Sequence, residues 1–187
     1  MEDGLKIMPR AIVCYDIVTK GDITISSGCV IQPSVTIIAE SGPIFFGENC
    51  IVEEYSTIIF KVPEHLKDEN NTPMLNIGSN NVFEVGCTVK ALKIGDKNVF
   101  ECKSFVSDEV EVSSGCVIGA GCRLEGKYKL AENTVVYGKN CLMRECLEKP
   151  TLQILQIDYL RRVLPNYHHL KRHTGSQKAQ EKIIPQK

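Results

Sequence analysis

The side chains in this sequence that could do chemistry are nine cysteines and four histidines. A histidine titrates near neutral pH, so it can serve as a general base or a zinc ligand, and a cysteine thiolate can bind metal or act as a nucleophile. A zinc site needs three or four such ligands held in fixed geometry. The histidines are His65, His168, His169 and His173. Whether any of them can act depends on the elements that would hold them in place.

Those elements follow from an unbroken six-residue period of apolar side chains. The period runs through Ile94, Phe100, Val106, Val112, Ile118, Leu124, Leu130 and Val136. A helix repeats near 3.6 residues and a strand every 2, so neither alone explains a period of six. Short strands separated by turns, stacked as a solenoid with three strands in a coil of about 18 residues, do explain it. The pattern predicts that these side chains point into the solenoid.

The same unit recurs earlier in the chain, with apolar first positions and small residues at the fifth. Its first positions are Ile25, Ile31, Ile37, Phe46, Val52, Ile58, Ile77, Phe83 and Val89, preceded by a looser register at Ile7 and Val13. A polar interruption at residues 61–74 predicts a loop insertion. We therefore predict a β-solenoid domain over residues 1–141.

Five of the cysteines occupy the fifth position of a unit, where space near a corner is short. They are Cys29, Cys50, Cys87, Cys116 and Cys122. A free cysteine behaves as a small buried hydrophobe, so we interpret this set as structural. The sequence contains no C-x-x-C pair, and reduced thiols are typical of the cytosol. Cys102 falls at a third position, which predicts that it points outward.

The histidines lie outside the repeats, one in the interruption and three near the end of the chain. Solenoids that act as acyltransferases or γ-class carbonic anhydrases need imidazoles on the coils. The sequence therefore favours a protein with no catalytic residue, no metal and no cofactor. An enzyme of either type with a substituted active site remains the alternative.

Helical spacing replaces the period of six after Pro150. Leu152, Leu155, Tyr159 and Val163 form one apolar stripe, with Leu160 and Leu164 beside it. We predict a helix from Pro150, which suits a first turn, to Leu164, which precedes Pro165. The stripe must be buried, and a flank of the solenoid is the nearest surface. The helix and its extension would occupy residues 142–170.

Charge and hydropathy limit the partners of the protein. The net charge is −1, but residues 161–187 carry seven Lys or Arg against one Glu. This basic end has no interleaved aromatic residues and no folded motif, so we expect no nucleic-acid binding, and we predict a disordered tail over residues 171–187. No apolar segment approaches the ~18 residues of a membrane span, and no secretory signal is evident. We expect a cytosolic or nuclear protein without membrane insertion.

Several of these segments together resemble the dynactin subunit 6 family. They are the hexapeptide coils, the interruption, IGSNNVFEVGC at 77–87, ENTVVYG at 132–138 and LPNYHHLKR at 164–172. The resemblance covers roughly residues 5–173. It implies an all-β fold, a left-handed parallel β-helix of hexapeptide repeats with a C-terminal α-helix.

The resemblance also implies a function. It points to a non-catalytic structural subunit of dynactin, in the pointed-end subcomplex, that supports dynein-driven transport and the attachment of cargo and adaptors. The implied partners are dynactin subunit 5 (a related β-helix), dynactin subunit 4 and an actin-related protein. The implied location is cytoplasmic and cytoskeleton-associated, with the kinetochore in mitosis. Our candidate partner interface is Leu152, Leu155, Tyr159, Tyr167, His168 and His169.

Overall fold

The computed structural model describes residues 4–68, 72–147 and 153–174. Over these residues the chain winds through about seven turns of a left-handed parallel β-helix and ends in one helix, α1, at Ile154–Tyr167. The predicted fold class is confirmed. Three sheets form the faces of the β-helix; each of the first six coils contributes one strand to each sheet, and the seventh contributes a strand to two of them.

The strands are numbered in chain order. Sheet 1 contains β1 (Leu5–Ile7), β4 (Ile23–Ile25), β7 (Ile44–Phe46), β10 (Leu75–Ile77), β13 (Lys93–Ile94), β16 (Val110–Val112) and β19 (Tyr128–Leu130). Sheet 2 contains β2 (Ile12–Val13), β5 (Val30–Ile31), β8 (Ile51–Val52), β11 (Val82–Phe83), β14 (Val99–Phe100), β17 (Val117–Ile118), β20 (Thr134–Tyr137) and β21 (Leu142–Glu145). Sheet 3 contains β3 (Val18–Lys20), β6 (Thr36–Ala39), β9 (Thr57–Phe60), β12 (Thr88–Val89), β15 (Phe105–Val106) and β18 (Arg123–Leu124).

Equivalent first positions stack directly above one another. In sheet 2 the parallel register aligns Val13, Ile31, Val52, Phe83, Phe100, Ile118 and Val136. These side chains are at most 1% exposed, so the period of six marks the interior as predicted. Phe83 and Phe100 stack with ring centroids 4.8 Å apart, which fills the middle of the core with aromatic contact.

The fifth positions fasten neighbouring coils to each other. The thiols of Cys29, Cys50 and Cys116 donate to the carbonyl oxygens of Gly47, Gly78 and Ala131 on the next coil, at 3.0 to 3.2 Å. Asn98 belongs to the same ladder, since its backbone N–H donates to Oδ1 of Asn81 on the coil before. All five fifth-position cysteines are buried, which confirms their structural interpretation, and Cys102 is exposed as expected.

The turns between strands use left-handed backbone conformations, because the chain must change direction there within a few residues. Gly115 has φ of +74°, and a Cβ there would lie 2.4 Å from Oδ1 of Asn133 on the next coil. Asn133 itself has φ of +56°, a conformation that asparagine tolerates better than most residues. The recurring Gly and Asn of the sequence therefore follow from the tight corners of the coil.

The structure adds a strand that the period of six does not reveal. β21 turns back after β20 and pairs with it antiparallel, with Val136 opposite Met143. This hairpin covers the final edge of sheet 2. The insertion contains a short 3₁₀ helix at Glu64–Leu66. No helix among the described residues is both long enough and apolar enough to cross a membrane.

Candidate interaction surface

One of the three outer faces of the β-helix is aliphatic along its whole length. In sheet 2 the residue before each inward-facing residue points outward, and these residues are Ile12, Val30, Ile51, Val82, Val99, Val117 and Val135. The corresponding positions of sheet 1 include Thr24, Asn76 and Glu111. Sheet 2 is therefore the face that needs a cover, and we call this set the aliphatic column.

Helix α1 covers the first half of the aliphatic column. Ile157 and Leu164 are buried in one cluster with Val30, Ile51 and Val82, and Leu160 and Leu170 pack at its margin. Burial of apolar area is worth about 25 cal/mol per Å², so this contact is what holds the helix to the β-helix. The prediction that the helix packs on a flank of the solenoid agrees with this geometry.

The side of the helix that packs differs from the predicted stripe. Leu155 is 85% exposed and Tyr159 is 63% exposed, while Ile157 and Leu164 are 5% and 6% exposed. The prediction that the stripe of Leu155 and Tyr159 is buried on the solenoid is therefore wrong. Both sides of the helix are apolar, so periodicity alone could not distinguish them. Leu152 lies outside the described residues.

The helix also ends later than predicted. It begins at Ile154 and continues through Pro165 to Tyr167. Pro165 lies in the last turn of the helix, where the missing N–H of a proline removes only one backbone hydrogen bond. The turn is retained because the His168 N–H donates to the Leu164 carbonyl at 2.9 Å. The side-chain amide of Asn166 donates to the Arg162 carbonyl at 3.0 Å. Pro150 lies outside the described residues.

A polar contact fixes the helix on the third coil. The amide nitrogen of Gln156 donates to Oε1 of Glu53 at 3.1 Å, and Oε2 of Glu53 accepts from the Val85 N–H at 3.2 Å. Burial raises the pKa of the Glu53 carboxyl, because its desolvation outweighs these hydrogen bonds. The helix thus runs from the third coil back towards the first.

The segment after the helix closes the first coil of the β-helix. The N–H of Tyr15 donates to the His169 carbonyl at 2.7 Å, and the N–H of Lys171 donates to the Val13 carbonyl at 2.8 Å. Thr174 exchanges hydrogen bonds with Ile7, as acceptor through Oγ1 and as donor through its N–H. Residues 168–174, which we call the C-terminal cap, therefore occupy strand edges that would otherwise be open. Four residues assigned to the tail by sequence, 171–174, belong to this cap.

The histidines make contacts at the margins of the fold. Nε2 of His65 lies 2.7 Å from Oε1 of Glu109, which joins the insertion to the coils. Nε2 of His173 lies 2.9 Å from the Ala11 carbonyl oxygen and so belongs to the C-terminal cap. His168 is half-buried and His169 is exposed. Within the described ranges, no three His, Cys, Asp or Glu side chains are grouped so that they could hold a metal ion.

The thiols of Cys14, Cys87 and Cys102 are held in states of low reactivity. Burial raises the pKa of Cys87 to about 12 and that of Cys14 to about 11, because the thiolate would lose its hydration. Cys102 is exposed, but its thiol donates to Oε2 of Glu84 at 3.3 Å, and this carboxylate raises its pKa. A thiolate is the reactive form, so the arrangement suits structure better than nucleophilic chemistry.

The exposed apolar side chains near α1 form the surface best suited to a partner. Ile154, Leu155, Tyr159 and Tyr167 are all more than half exposed, and Leu147 is 90% exposed just before residues 148–152. The predicted interface residues Leu155, Tyr159, Tyr167 and His169 are accessible on the helix and at its end. The geometry brings together aromatic and aliphatic groups typical of protein contacts. Their role as an interface remains a prediction.

The fold and these surfaces define a hexapeptide-repeat β-helix protein. The comparison with solved structures agrees: a hexapeptide transferase family protein from Anaplasma phagocytophilum has a TM-score of 0.65 at 16% identity, over 87% of this chain and 88% of that one. A putative acetyltransferase from Bacillus cereus has a TM-score of 0.56 at 18% identity, over 86% of this chain and 87% of that one. At such identities the likeness concerns the fold alone.

Sequence relatives identify the family. Dynactin subunit 6 of Xenopus tropicalis is 46% identical over 91% of this chain and 86% of its own length. Dynactin subunit 6 of Nematostella vectensis is 44% identical over 92% of this chain and 95% of its own length, and that of Dictyostelium discoideum is 31% identical over 89% of this chain and 87% of its own length. No family model matches the chain. The chain belongs to the dynactin subunit 6 family.

Proposed function

We propose that this protein is a non-catalytic structural subunit of dynactin, placed in its pointed-end subcomplex. The observation that carries the proposal is the 44–46% identity to proteins named Dynactin subunit 6 over about 90% of the chain. In this role it supports dynein-driven transport and the attachment of cargo and adaptors. Its location is cytoplasmic and cytoskeleton-associated, with the kinetochore as a further site in mitosis.

The structure suits such a role because the β-helix is rigid and presents flat faces. The first six coils are hydrogen-bonded to one another along three sheets, so the molecule can hold partners at a fixed distance. His65, in the insertion, contacts the Glu109 carboxylate of the coils, and His173 contacts the backbone of the first coil. These positions support a scaffold more than they support an enzyme with an imidazole on its coils.

The partners we propose are dynactin subunit 5, dynactin subunit 4 and an actin-related protein, with dynein and cargo adaptors bound indirectly. The surface we assign to them is the exposed side of α1, with Leu155 and Tyr159 at its centre and Tyr167, His168 and His169 at its end. Exposed aromatic residues are enriched among the residues that dominate binding energy. Leu155 and Tyr159 lie on the side of α1 opposite the buried Ile157 and Leu164, so they take no part in holding the helix to the β-helix.

The test is recovery of dynactin with a tagged full-length chain expressed in cells that contain the complex. The parent chain should co-purify with dynactin subunits in stoichiometric amounts. Leu155→Asp combined with Tyr159→Asp should reduce recovery at least tenfold without lowering the melting temperature. The matched control is Tyr128→Asp, which changes a half-exposed aromatic residue on sheet 1 and should leave recovery unchanged.

Two results would contradict the proposal. Failure of the parent chain to co-purify with any dynactin subunit would remove the assigned function. Unchanged recovery with the double variant would keep the function and move the interface away from α1.

A further inference from the structure

The aliphatic column extends beyond the part that α1 covers. Val30 and Ile51 are fully buried and Val82 is 7% exposed, whereas Val99, Val117 and Val135 are partly exposed. Val99 lies at the margin of the helix cluster, and Val117 and Val135 belong to neither buried cluster of the described residues. Among the described residues, the second half of sheet 2 thus has the aliphatic outward side chains of the first half but is not covered by α1.

A second outward column is acidic beside Val82 and Val99, and it continues with Gly119 and Tyr137 beside Val117 and Val135. Strand alternation places Glu53, Glu84 and Glu101 on the same face of sheet 2, one residue after the inward positions Val52, Phe83 and Phe100. Oε2 of Glu84 accepts from the Cys102 N–H at 3.0 Å, and Oε2 of Glu101 accepts from the Ala120 N–H at 2.8 Å. These bonds hold both carboxylates at the sheet surface. Within the described residues neither forms an ion pair.

The first half of the face shows which kind of element fits it. There α1 places Ile157 and Leu164 on the aliphatic column and the Gln156 amide on Glu53 of the acidic column. An occupant of the second half would meet valines along its length and the carboxylates of Glu84 and Glu101 at the end nearest α1. A helix with an apolar stripe and Lys or Arg along one flank satisfies both columns.

We propose that the surface formed by Val99, Val117, Val135, Glu84 and Glu101 binds a basic amphipathic helix contributed by another protein. The strip from Val82 to Val135 spans three strand spacings, about 14 Å, which about ten residues of helix cover. The site continues the interface that α1 makes within the chain. It goes beyond the proposed function, because it lies on sheet 2 rather than on the exposed side of α1.

The test uses the purified full-length chain and a synthetic helix as the probe. The probe is a fluorescent peptide of about 14 residues with leucines at helical spacing and lysines along one flank; its twin carries glutamates in place of the lysines. The lysine peptide should bind saturably, and at least tenfold more weakly to Val117→Asp and to Glu101→Lys. Thr88→Asp is the matched control, since Thr88 is a partly exposed outward residue at the equivalent position of sheet 3, and it should bind like the parent.

Several outcomes would overturn this inference. No saturable binding at probe concentrations up to about 1 mM would do so. So would equal binding of the lysine and glutamate peptides, or equal loss of binding in Val117→Asp and Thr88→Asp. Much tighter probe binding to a chain ending at Thr174, or to one with Gly and Ser at 148–152, would show that the protein's own residues fill the site. None of these results bears on dynactin recovery through Leu155 and Tyr159, so the two proposals fail separately.

Discussion

The side-chain amide of Gln156 and the carboxylate of Glu53, 103 residues apart in sequence, are joined by a 3.1 Å hydrogen bond between Nε2 and Oε1. The contact fixes where α1 lies along the axis of the β-helix. Glu53 is partly buried there, and its desolvation raises the pKa of the carboxyl although the bond from Gln156 lowers it. Because Glu53 is half-buried where α1 contacts the β-helix, the stability of the protein should depend on pH.

The replacement Glu53→Gln should raise the melting temperature at pH 7. Because the folded-state pKa is raised, the folded protein binds more protons than the unfolded chain between the two pKa values. The free energy of unfolding therefore falls as pH rises through that window, and the charged carboxylate costs stability at neutral pH. A neutral amide avoids this cost, so the gain at pH 7 should shrink as the pH falls below the ordinary glutamate value.

Thermal melts from pH 3.5 to pH 8 check this prediction, with Glu132→Gln at an exposed turn as the control. The control should show no such pH-dependent gain. A lower melting temperature for Glu53→Gln at pH 7 would mean that the charged bond to Gln156 outweighs desolvation.

A pair of adjacent residues tests the assignment of inside and outside. Ile118 is fully buried in the core, and Val117 faces out of sheet 2. An unpaired charge in the core costs several kcal/mol, about 3–5 by analogy with broken buried ion pairs, so Ile118→Asp should unfold several coils at room temperature. Val117→Asp should change the free energy of unfolding by less than about 1 kcal/mol. Urea titration of both variants measures the difference, and similar midpoints would contradict the register.

The interior was predictable from sequence because the period of six is imposed by stacking. Each first-position residue must fit against its equivalents above and below. Every first position from Ile94 to Val136 is therefore apolar, and this makes the period visible in the sequence. The cysteines at the fifth position were predictable for the same reason. Strand β21 was not, because Leu142–Glu145 pairs only with β20 and repeats nothing.

The orientation of α1 was not predictable from its own sequence, since both of its sides are apolar. The sequence of the coils does, however, indicate which face of the β-helix the helix packs on. The residue before the inward position is aliphatic in every parallel strand of sheet 2, at Val30 and Ile51 for example, and polar or mixed in the other two sheets. This column marks the face that receives a helix, although it cannot show which side of the helix meets it. The interface assigned to Leu155 and Tyr159 stays a prediction.

Thiol labelling should separate the buried cysteines from the exposed one. With iodoacetamide at pH 7.5, the five buried fifth-position cysteines should remain unlabelled in the folded protein because reagent and water do not reach them. Cys102 is accessible, but Glu84 raises its pKa and so keeps the reactive thiolate scarce.

The change Glu84→Gln removes that charge and should increase the labelling rate of Cys102 severalfold. Peptide mass spectrometry over a time course measures the rate at each cysteine, with Glu132→Gln as the control. An unchanged rate at Cys102 would show that Glu84 does not suppress the thiolate. Labelling of Cys50 or Cys116 at the rate of Cys102 would contradict their burial.

Removal of the C-terminal cap should expose the first coil to other chains. A chain ending at Tyr167 loses the bonds from Tyr15 to His169, from Lys171 to Val13 and between Thr174 and Ile7. Each hydrogen bond contributes about 1 kcal/mol, and unpaired strand edges recruit other strands. This chain should melt several degrees lower and self-associate with rising concentration in analytical ultracentrifugation. A chain ending at Thr174 keeps the cap and should sediment like the full-length protein. If both truncated chains behave alike, the cap neither stabilises the first coil nor shields its edges.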